Sequence, residues 1–206
     1  YSNWIIKVPE LKDYANMYQT IIVCPDGDKS SWYFDSPVDS AYRYETFISF
    51  ELVAYVDRSF KTLTDKKHRA ITGLSMGGHG GLFLGLRHAA VFGAAGNMSG
   101  AVDLKGIRNK YEMIERIGDT ISHAKEWHDL AVINLIEKYT ATNVKIIFDC
   151  GDKDFLIESN RRLHEKMKLL KIPHQYTERP GVHNWDYWKN AIPFQLLFFQ
   201  QFFKEN

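Results

Sequence analysis

The chain has 206 residues, of which 45% are hydrophobic, so it is long enough to bury one large core and is expected to form a single domain over 1–206. Its 26 basic and 25 acidic residues nearly cancel, which leaves no basic stripe for nucleic acid and no polybasic patch for a membrane surface. The longest apolar runs, such as 192–199, are too short to span a bilayer.

In the first third of the chain, segments with apolar residues at helical spacing alternate with β-branched runs. Pro9 interrupts the first helical pattern, and the turn signal Pro25-Asp26-Gly27 ends the first β-branched run. The predicted elements are a helix over 3–18, a buried strand over 19–24, a polar loop over 28–40, an amphipathic helix over 42–60 and a strand over 68–74.

The same alternation continues to the C-terminus. Gly106 and Gly118 break the pattern of residues 101–140, which predicts a helical, cap-like insertion. Strands that alternate with helices are typical of an α/β fold with a mostly parallel central sheet flanked by helices. The elements predicted after the helix that ends at His88 are a strand over 91–100, the helical segment 101–140, a strand over 144–150, a helix over 157–171, a strand over 174–179 and a C-terminal helix.

One serine stands in a pattern that is typical of a nucleophile. Gly73-Leu74-Ser75-Met76-Gly77 fits G-x-S-x-G, with a β-branched run before it and a helical pattern after it. Small residues two positions before and after the serine are expected to avoid a collision in such a tight turn. The backbone N–H of Met76, at the start of the helix, would then point at negative charge developing on an acyl oxygen. On the local pattern alone, a glycine-rich packing turn stays open as the alternative.

A serine hydroxyl needs a base, and in α/β-hydrolase topology the acid and then the histidine follow the serine, each in a loop after a strand. Three candidate acids, Asp149, Asp152 and Asp154, surround the end of the predicted strand 144–150. Asp149 would lie within the strand, whereas Asp154 lies furthest into the loop and is favoured over Asp152. A cation site made by the three carboxylates is a weaker alternative, because it lacks further oxygen ligands at regular spacing.

Eight histidines compete for the role of base. His183 alone follows the last predicted strand, in a loop that Gly181 allows to turn back over Ser75. His79 is expected to point from its helix into the structure. Packing or solvated roles are the default for the others, which are His68, His88, His123, His128, His164 and His174. The predicted mechanism is deprotonation of Ser75 by His183, with Asp154 fixing the imidazole tautomer.

Four segments together resemble the esterase D family of α/β-hydrolases. That family includes S-formylglutathione hydrolases, tributyrin-type esterases, feruloyl and acetyl-xylan esterase domains and mycolyltransferases. Carried over position by position, its catalytic triad falls on Ser75, Asp154 and His183. The resemblance covers nearly the whole chain, and the matching segments are IIVCPDG (21–27), RAITGLSMGGHGGL (69–82), CGDKDFL (150–156) and PGVHNWDYW (180–188).

The sequence departs from the family pattern at its beginning. Family members usually have earlier strands that end in a His-Gly loop, which supplies the second N–H of the oxyanion hole. Here the sequence opens in a helix, so we expect the N-terminal strands and that second donor to lie before Tyr1. A removed leader peptide would indicate a secreted or periplasmic protein, and otherwise a cytoplasmic one is expected.

Aromatic residues near the predicted mouth are candidates for the substrate pocket. Trp32 and Tyr33 lie in the loop 28–40, and Trp185 lies two residues after His183. The resemblance to the esterase D family implies that these residues shape the acyl or alcohol pocket. The alternative is that they pack the loops.

These observations together favour a serine carboxylesterase that hydrolyses small acyl or phenolic esters, such as acetyl or feruloyl esters, free or linked to polysaccharide. An S-formylglutathione hydrolase or an acyltransferase of the same family is the alternative enzyme, and a non-catalytic binding module on the same scaffold is the alternative class. No metal, cofactor, nucleic acid or membrane is expected to take part, and a homo-oligomer is compatible with the sequence.

Overall fold

A parallel sheet of four strands lies at the centre of the protein in the computed structural model, which describes residues 2–205. The strands are hydrogen-bonded in the order β1-β2-β3-β4, which is also their order along the chain. Their bounds are β1 Ala70–Ile71, β2 Ala94–Met98, β3 Lys145–Gly151 and β4 Gln175–Arg179. Consecutive strands are parallel, with Ala94 opposite Lys145 and Phe148 opposite Tyr176, so every connection is a crossover.

Helices connect the strands and precede the first of them. Pro9 separates the first two helices, as the sequence predicted, and a stretch of π-helix, Phe47–Leu52, lies between the third and fourth. The α-helices are α1 Ser2–Lys7, α2 Leu11–Tyr18, α3 Tyr44–Thr46, α4 Val53–Ser59, α5 Met76–Arg87, α6 Met113–Ile117, α7 Ala124–Asp129, α8 Val132–Lys138, α9 Ile157–Leu169 and α10 Trp185–Lys204, and 3₁₀ turns occupy Lys66–His68 and Leu104–Ile107. None of the helices in 2–205 combines the length and the apolarity needed to cross a membrane.

Both faces of the sheet are covered, which explains the continuous apolar runs of its central strands. All five residues of β2 are buried. Alternate residues of β3 enter different clusters, because successive side chains of a strand point to opposite faces. Ile146 and Phe148 pack with α5, α8 and α9, whereas Ile147 packs with Phe199 and Phe202 of α10.

Helix α5 lies unusually close to the sheet. A Cβ atom added at Gly81 would collide with the carbonyl oxygen of Gly96, and one added at Gly85 would collide with the side chain of Ala95. Gly81 and Gly85 therefore form the surface through which the helix contacts β2, and larger residues there would lift the helix away from the sheet.

The prediction of a strand over 19–24 is wrong. These residues form no regular secondary structure and pair with no strand in the described part of the chain. Ile21 and Val23 are exposed, while Ile22 packs against the cluster formed by α2 and α10. A β-branched run becomes a strand only where another strand accepts its hydrogen bonds, and no such partner lies beside this one among residues 2–205.

Residues 101–140 contain short helices and contribute to the main hydrophobic core. Val102, Met113, Ile117, Trp127 and Leu135 are all buried there. This segment covers the outer side of α5 and is continuous with the core of the sheet.

Candidate active site

Ser75 lies in a strained turn between the sheet and α5. Its backbone has φ 53° and ψ −117°, outside the regions that L-residues prefer. Two hydrogen bonds to Met98 hold the turn: the N–H of Ser75 donates to the carbonyl of Met98 at 3.0 Å, and the N–H of Met98 donates to the carbonyl of Gly73 at 2.9 Å. Because the adjacent strand fixes the turn on both sides, the half-buried serine side chain is held in a defined position at the end of the sheet.

The two glycines of the G-x-S-x-G pattern have different surroundings. A Cβ atom added at Gly73 would lie 2.5 Å from the carbonyl carbon of Gly77, well inside van der Waals contact. A Cβ atom added at Gly77 would meet nothing closer than the ring of Tyr33 at 3.8 Å. The expectation that both positions need a small residue is therefore correct for Gly73, while Gly77 has room for a methyl group.

The structure brings Ser75, His183 and Asp154 together. The Nε2 atom of His183 lies 2.8 Å from the Oγ of Ser75, and its Nδ1 atom lies 2.7 Å from Oδ2 of Asp154. A carboxylate only accepts hydrogen bonds, so the neutral imidazole carries its proton on Nδ1 and presents Nε2 to the serine hydroxyl as an acceptor. The arrangement can therefore take the hydroxyl proton at Nε2 while the carboxylate stabilises the resulting cation.

The Asp154 carboxylate is buried and its orientation is fixed. The residue is 2% exposed, and its second oxygen, Oδ1, accepts the N–H of Leu156 at 2.9 Å. One oxygen is thus used by the local turn and the other by His183, which leaves the carboxylate no freedom to rotate away from the imidazole.

Asp152, the second candidate acid, holds the histidine loop. Its Oδ1 accepts the N–H of Gly181 at 3.0 Å, and the N–H of Lys153 donates to the carbonyl of Gly181 at 3.0 Å. A third bond runs from the N–H of Asp152 to the carbonyl of Arg179. The loops that follow β3 and β4 are therefore joined to each other directly.

Asp149, the third candidate, lies beneath the site and contacts α10. Its carboxylate is 1% exposed and accepts the hydroxyl of Tyr187 at 2.8 Å and the side-chain amide of Gln195 at 2.9 Å. Burial raises the pKa of Asp149, and these two hydrogen bonds act in the opposite direction. The ring of Tyr187 also packs on Gly181, where an added Cβ would lie 2.5 Å from the ring. Asp149 and Tyr187 thus support the start of α10 directly behind the His183 loop.

The N–H of Met76 is available as an oxyanion donor. Met76 is the first residue of α5, and within residues 2–205 its N–H makes no hydrogen bond to the protein. Helix N-termini leave such donors free and carry partial positive charge, so this N–H suits an oxygen that becomes negative next to Ser75.

His79 lies in the core, as predicted, and is remote from the role of a base. It is fully buried, with Nε2 2.9 Å from the carbonyl of Leu130 and Nδ1 3.2 Å from the carbonyl of Trp32. Burial lowers the pKa of His79 to about 4, although both carbonyls favour the protonated ring. The neutral ring has one N–H and can donate it to only one of these two carbonyls, although it lies between both segments.

The aromatic residues predicted for the pocket have different positions. Trp32 is 3% exposed, packs edge-on against His79 and donates its indole N–H to the carbonyl of Tyr111, so it has no open face for a substrate. The pocket prediction for Trp32 does not match this position, because the 28–40 loop folds inward against α5. Trp185 is half-buried and packs edge-to-face between Trp4 and Trp188.

Phe155 lies at the site, although no site role was predicted for it from the sequence. Its ring lies 4.6 Å from the His183 ring and is 62% exposed. Its position next to Asp154 in the sequence was a usable signal, since a residue adjacent to a predicted triad member is close to the reacting atoms.

The family model described as "Putative esterase" matches residues 11–199. The chain belongs to this esterase family. It is 28% identical over 204 residues to an acetyl esterase of Caldicellulosiruptor saccharolyticus, an alignment that covers 93% of the chain and 76% of that relative.

Solved structures of esterases and serine hydrolases have the same fold. A ferulic acid esterase matches with a TM-score of 0.70 and 30% identity over 83% of this esterase and 64% of that chain. A fluorophosphonate-binding serine hydrolase of Staphylococcus aureus, FphF, matches with a TM-score of 0.82 and 24% identity over 97% of this chain and 78% of that chain. The esterase thus has an α/β-hydrolase fold and is a carboxylic ester hydrolase, so the predicted fold class, family and enzyme class are confirmed.

Proposed function

We propose that this esterase is a serine carboxylesterase in which Ser75 is the nucleophile, His183 the general base and Asp154 the residue that orients the imidazole. The observation that carries the proposal is the continuous chain of hydrogen-bond contacts from Ser75 Oγ through both nitrogens of His183 to the buried carboxylate of Asp154. A nucleophile, a base within reach and a third group that orients the base are the features of an activated serine.

In the acylation step, Nε2 of His183 takes the hydroxyl proton as Ser75 Oγ attacks the carbonyl carbon of the ester. The carbonyl oxygen becomes an oxyanion, and the N–H of Met76 stabilises it. His183 then gives the proton to the alcohol oxygen, the C–O bond breaks, and the acyl group stays on Ser75.

In the deacylation step, the same histidine activates water. Nε2 of His183 takes a proton from the water while the water oxygen attacks the acyl carbon. The tetrahedral intermediate collapses, Ser75 regains its proton, and the carboxylic acid leaves. The half-buried position of Ser75 and His183 allows both the ester and the water to reach them.

We propose small acyl or phenolic esters, namely acetyl or feruloyl esters, as the substrates. The similarity to an acetyl esterase and to a ferulic acid esterase supports this class. The relatives also include mycobacterial acyltransferases, of which one from Mycobacterium gordonae is 34% identical, so an alcohol that replaces water in the second step is the alternative outcome.

The proposal is tested by hydrolysis of p-nitrophenyl acetate and butyrate with the parent chain and with Ser75→Ala. We expect the variant to lose on the order of 10³-fold or more in kcat, since removal of a triad nucleophile leaves only binding and oxyanion stabilisation. Ser122→Ala, which changes a serine of the exposed 119–123 turn, is the matched control and should keep full activity. Undiminished hydrolysis by Ser75→Ala, or labelling of that variant by a fluorophosphonate probe, would contradict the assignment.

Substrate class is tested with methyl ferulate, acetylated xylan and S-formylglutathione under the same conditions. We expect methyl ferulate or acetylated xylan to give the highest kcat/KM. A preference for S-formylglutathione would instead favour the alternative function, a thioester hydrolase. Product analysis with added alcohol distinguishes hydrolysis from acyl transfer.

A further inference from the structure

Among residues 2–205, two aromatic rings contact His183, and one of these two is open to solvent. Trp188 of α10 packs edge-to-face at 4.9 Å and is 6% exposed, so it supports the imidazole from inside. Phe155 lies at 4.6 Å with an interplanar angle of 52° and is 62% exposed. An apolar ring that stays in water forgoes the favourable free energy of burial, and here it does so beside the base of the proposed triad.

The backbone around Phe155 is held in place. The N–H of Asp154 donates to the carbonyl of Gly151, and the N–H of Ile157 donates to the carbonyl of Asp154. The Asp154 side chain adds its bond to the N–H of Leu156. Three hydrogen bonds thus hold the backbone that carries the exposed ring beside His183.

The mechanism determines which half of an ester lies next to this ring. The alcohol oxygen must receive a proton from Nε2 of His183, so the alcohol portion lies over the imidazole. The carbonyl oxygen lies at the N–H of Met76, on the side of α5. The exposed surface adjoining the imidazole therefore faces the alcohol portion of the substrate.

We infer that Phe155 forms a subsite for the alcohol portion of the ester, and that this portion has a flat apolar face, as an aromatic or a pyranose ring has. The inference rests on the proposed function, because it needs His183 as the proton donor. Stacking of a ring on Phe155 adds affinity before and during acylation. It contributes nothing to deacylation, since the alcohol has left by then.

Phe155→Ala is tested on two series of esters. The first keeps the acetyl group and varies the alcohol: ethyl acetate, benzyl acetate and methyl 6-O-acetylglucopyranoside. The second keeps the ethyl group and varies the acid: ethyl acetate, ethyl butyrate and ethyl ferulate. We expect kcat/KM for a ring-bearing acetate to fall about three- to tenfold relative to ethyl acetate, the effect of one lost aromatic pair. Within the ethyl series the ratios should stay unchanged.

The controls separate stacking from a general disturbance of His183. Phe155→Tyr should restore the ring preference, and the deacylation rate should be the same in all variants. Phe60→Ala removes a ring that is 54% exposed at the end of α4 and should leave every ratio unchanged.

The result that overturns the subsite is an equal loss for ethyl and ring-bearing acetates, or a change confined to the acyl series. Of the two ring-bearing arms, a loss for benzyl acetate supports an aromatic alcohol and a loss for the glycoside supports a pyranose. Failure of the proposed function is seen separately, as activity that survives Ser75→Ala.

Discussion

Replacement of Gly73 by alanine should disrupt the serine turn, whereas the same replacement at Gly77 should be tolerated. The added methyl group at position 73 would lie 2.5 Å from the carbonyl carbon of Gly77, where ordinary contact begins at 3.4 Å. The obstacle is backbone rather than a flexible side chain, so the first turn of α5 must move by roughly 1 Å.

That displacement sets the expected magnitudes. Forcing a methyl group into such a contact costs about 1–3 kcal/mol of folding free energy. A shift of about 1 Å in a reacting group can lower the rate about 10²-fold, and this shift would carry Ser75 and the N–H of Met76 with it. At Gly77 the methyl group meets only the Tyr33 ring at 3.8 Å, and alanine in a helix is favoured over glycine by up to about 1 kcal/mol.

The assay compares both variants with the parent chain in urea unfolding and in p-nitrophenyl acetate hydrolysis. We expect Gly73→Ala to lose stability and about 10²-fold in kcat, and Gly77→Ala to keep both within about twofold in rate and about 1 kcal/mol in stability. The reasoning is refuted if the two variants behave alike, since it depends entirely on the asymmetry between the two glycines.

Three further substitutions change buried or half-buried polar side chains. The pKa of His79 is about 4 in the folded state, against 6.5 for an ordinary histidine, so the unfolded chain binds this proton more readily than the folded chain. The corresponding part of the folding stability is therefore fully present above pH 6.5 and is lost as the pH falls toward 4. Urea unfolding at pH 7 and at about pH 4.5 should show that the parent loses about 2–3 kcal/mol more than His79→Gln, and equal losses would contradict this assignment. Tyr187→Phe removes one hydrogen bond to the buried Asp149 carboxylate and should cost about 1.5–3 kcal/mol by urea unfolding with a lower kcat, while Tyr55→Phe, on an exposed ring, should change neither. Asn184→Ala removes the side-chain acceptor for the N–H of Tyr187 at the start of α10 and should cost about 1 kcal/mol in thermal unfolding, and a variant as stable as the parent would show that this cap contributes nothing.

The sequence was sufficient to select the three side chains that the structure brings together. The reason is that the ends of parallel strands meet at one edge of a sheet, so chain order and strand ends locate residues that are far apart in sequence. Ser75 and His183 are separated by 108 positions, yet each follows a strand, and their side chains lie within hydrogen-bond distance.

The sequence favoured Asp154 as the acid, but it did not predict which groups Asp149 and Asp152 contact. Asp149, Asp152 and Asp154 have the same side chain, and their partners depend on the register of β3 against β4 and on the entry of α10. In the folded chain Asp149 contacts Tyr187, Asp152 accepts the N–H of Gly181, and Asp154 contacts His183.

The strand predicted over 19–24 is absent, and Trp32 packs the loop rather than lining a pocket, for a related reason. The local sequence pattern indicates which secondary structure a segment favours by itself. Strand pairing and loop burial also depend on segments that are distant in the sequence. Ile22 packs inward without a strand beside it, and Trp32 is covered because its indole reaches the backbone of Tyr111.

The glycine content of α5 has a consequence for when, during folding, Ser75 acquires its unusual backbone conformation. Five of the twelve residues in MGGHGGLFLGLR are glycine, each worth about 1 kcal/mol less helix stability than alanine, so this segment has little tendency to be helical before it docks on the sheet. The unusual backbone of Ser75 is imposed by the same docking, through Met98. Any opening that separates α5 from β2 would relax Ser75 into an ordinary serine, and loss of activity would then precede loss of the remaining structure.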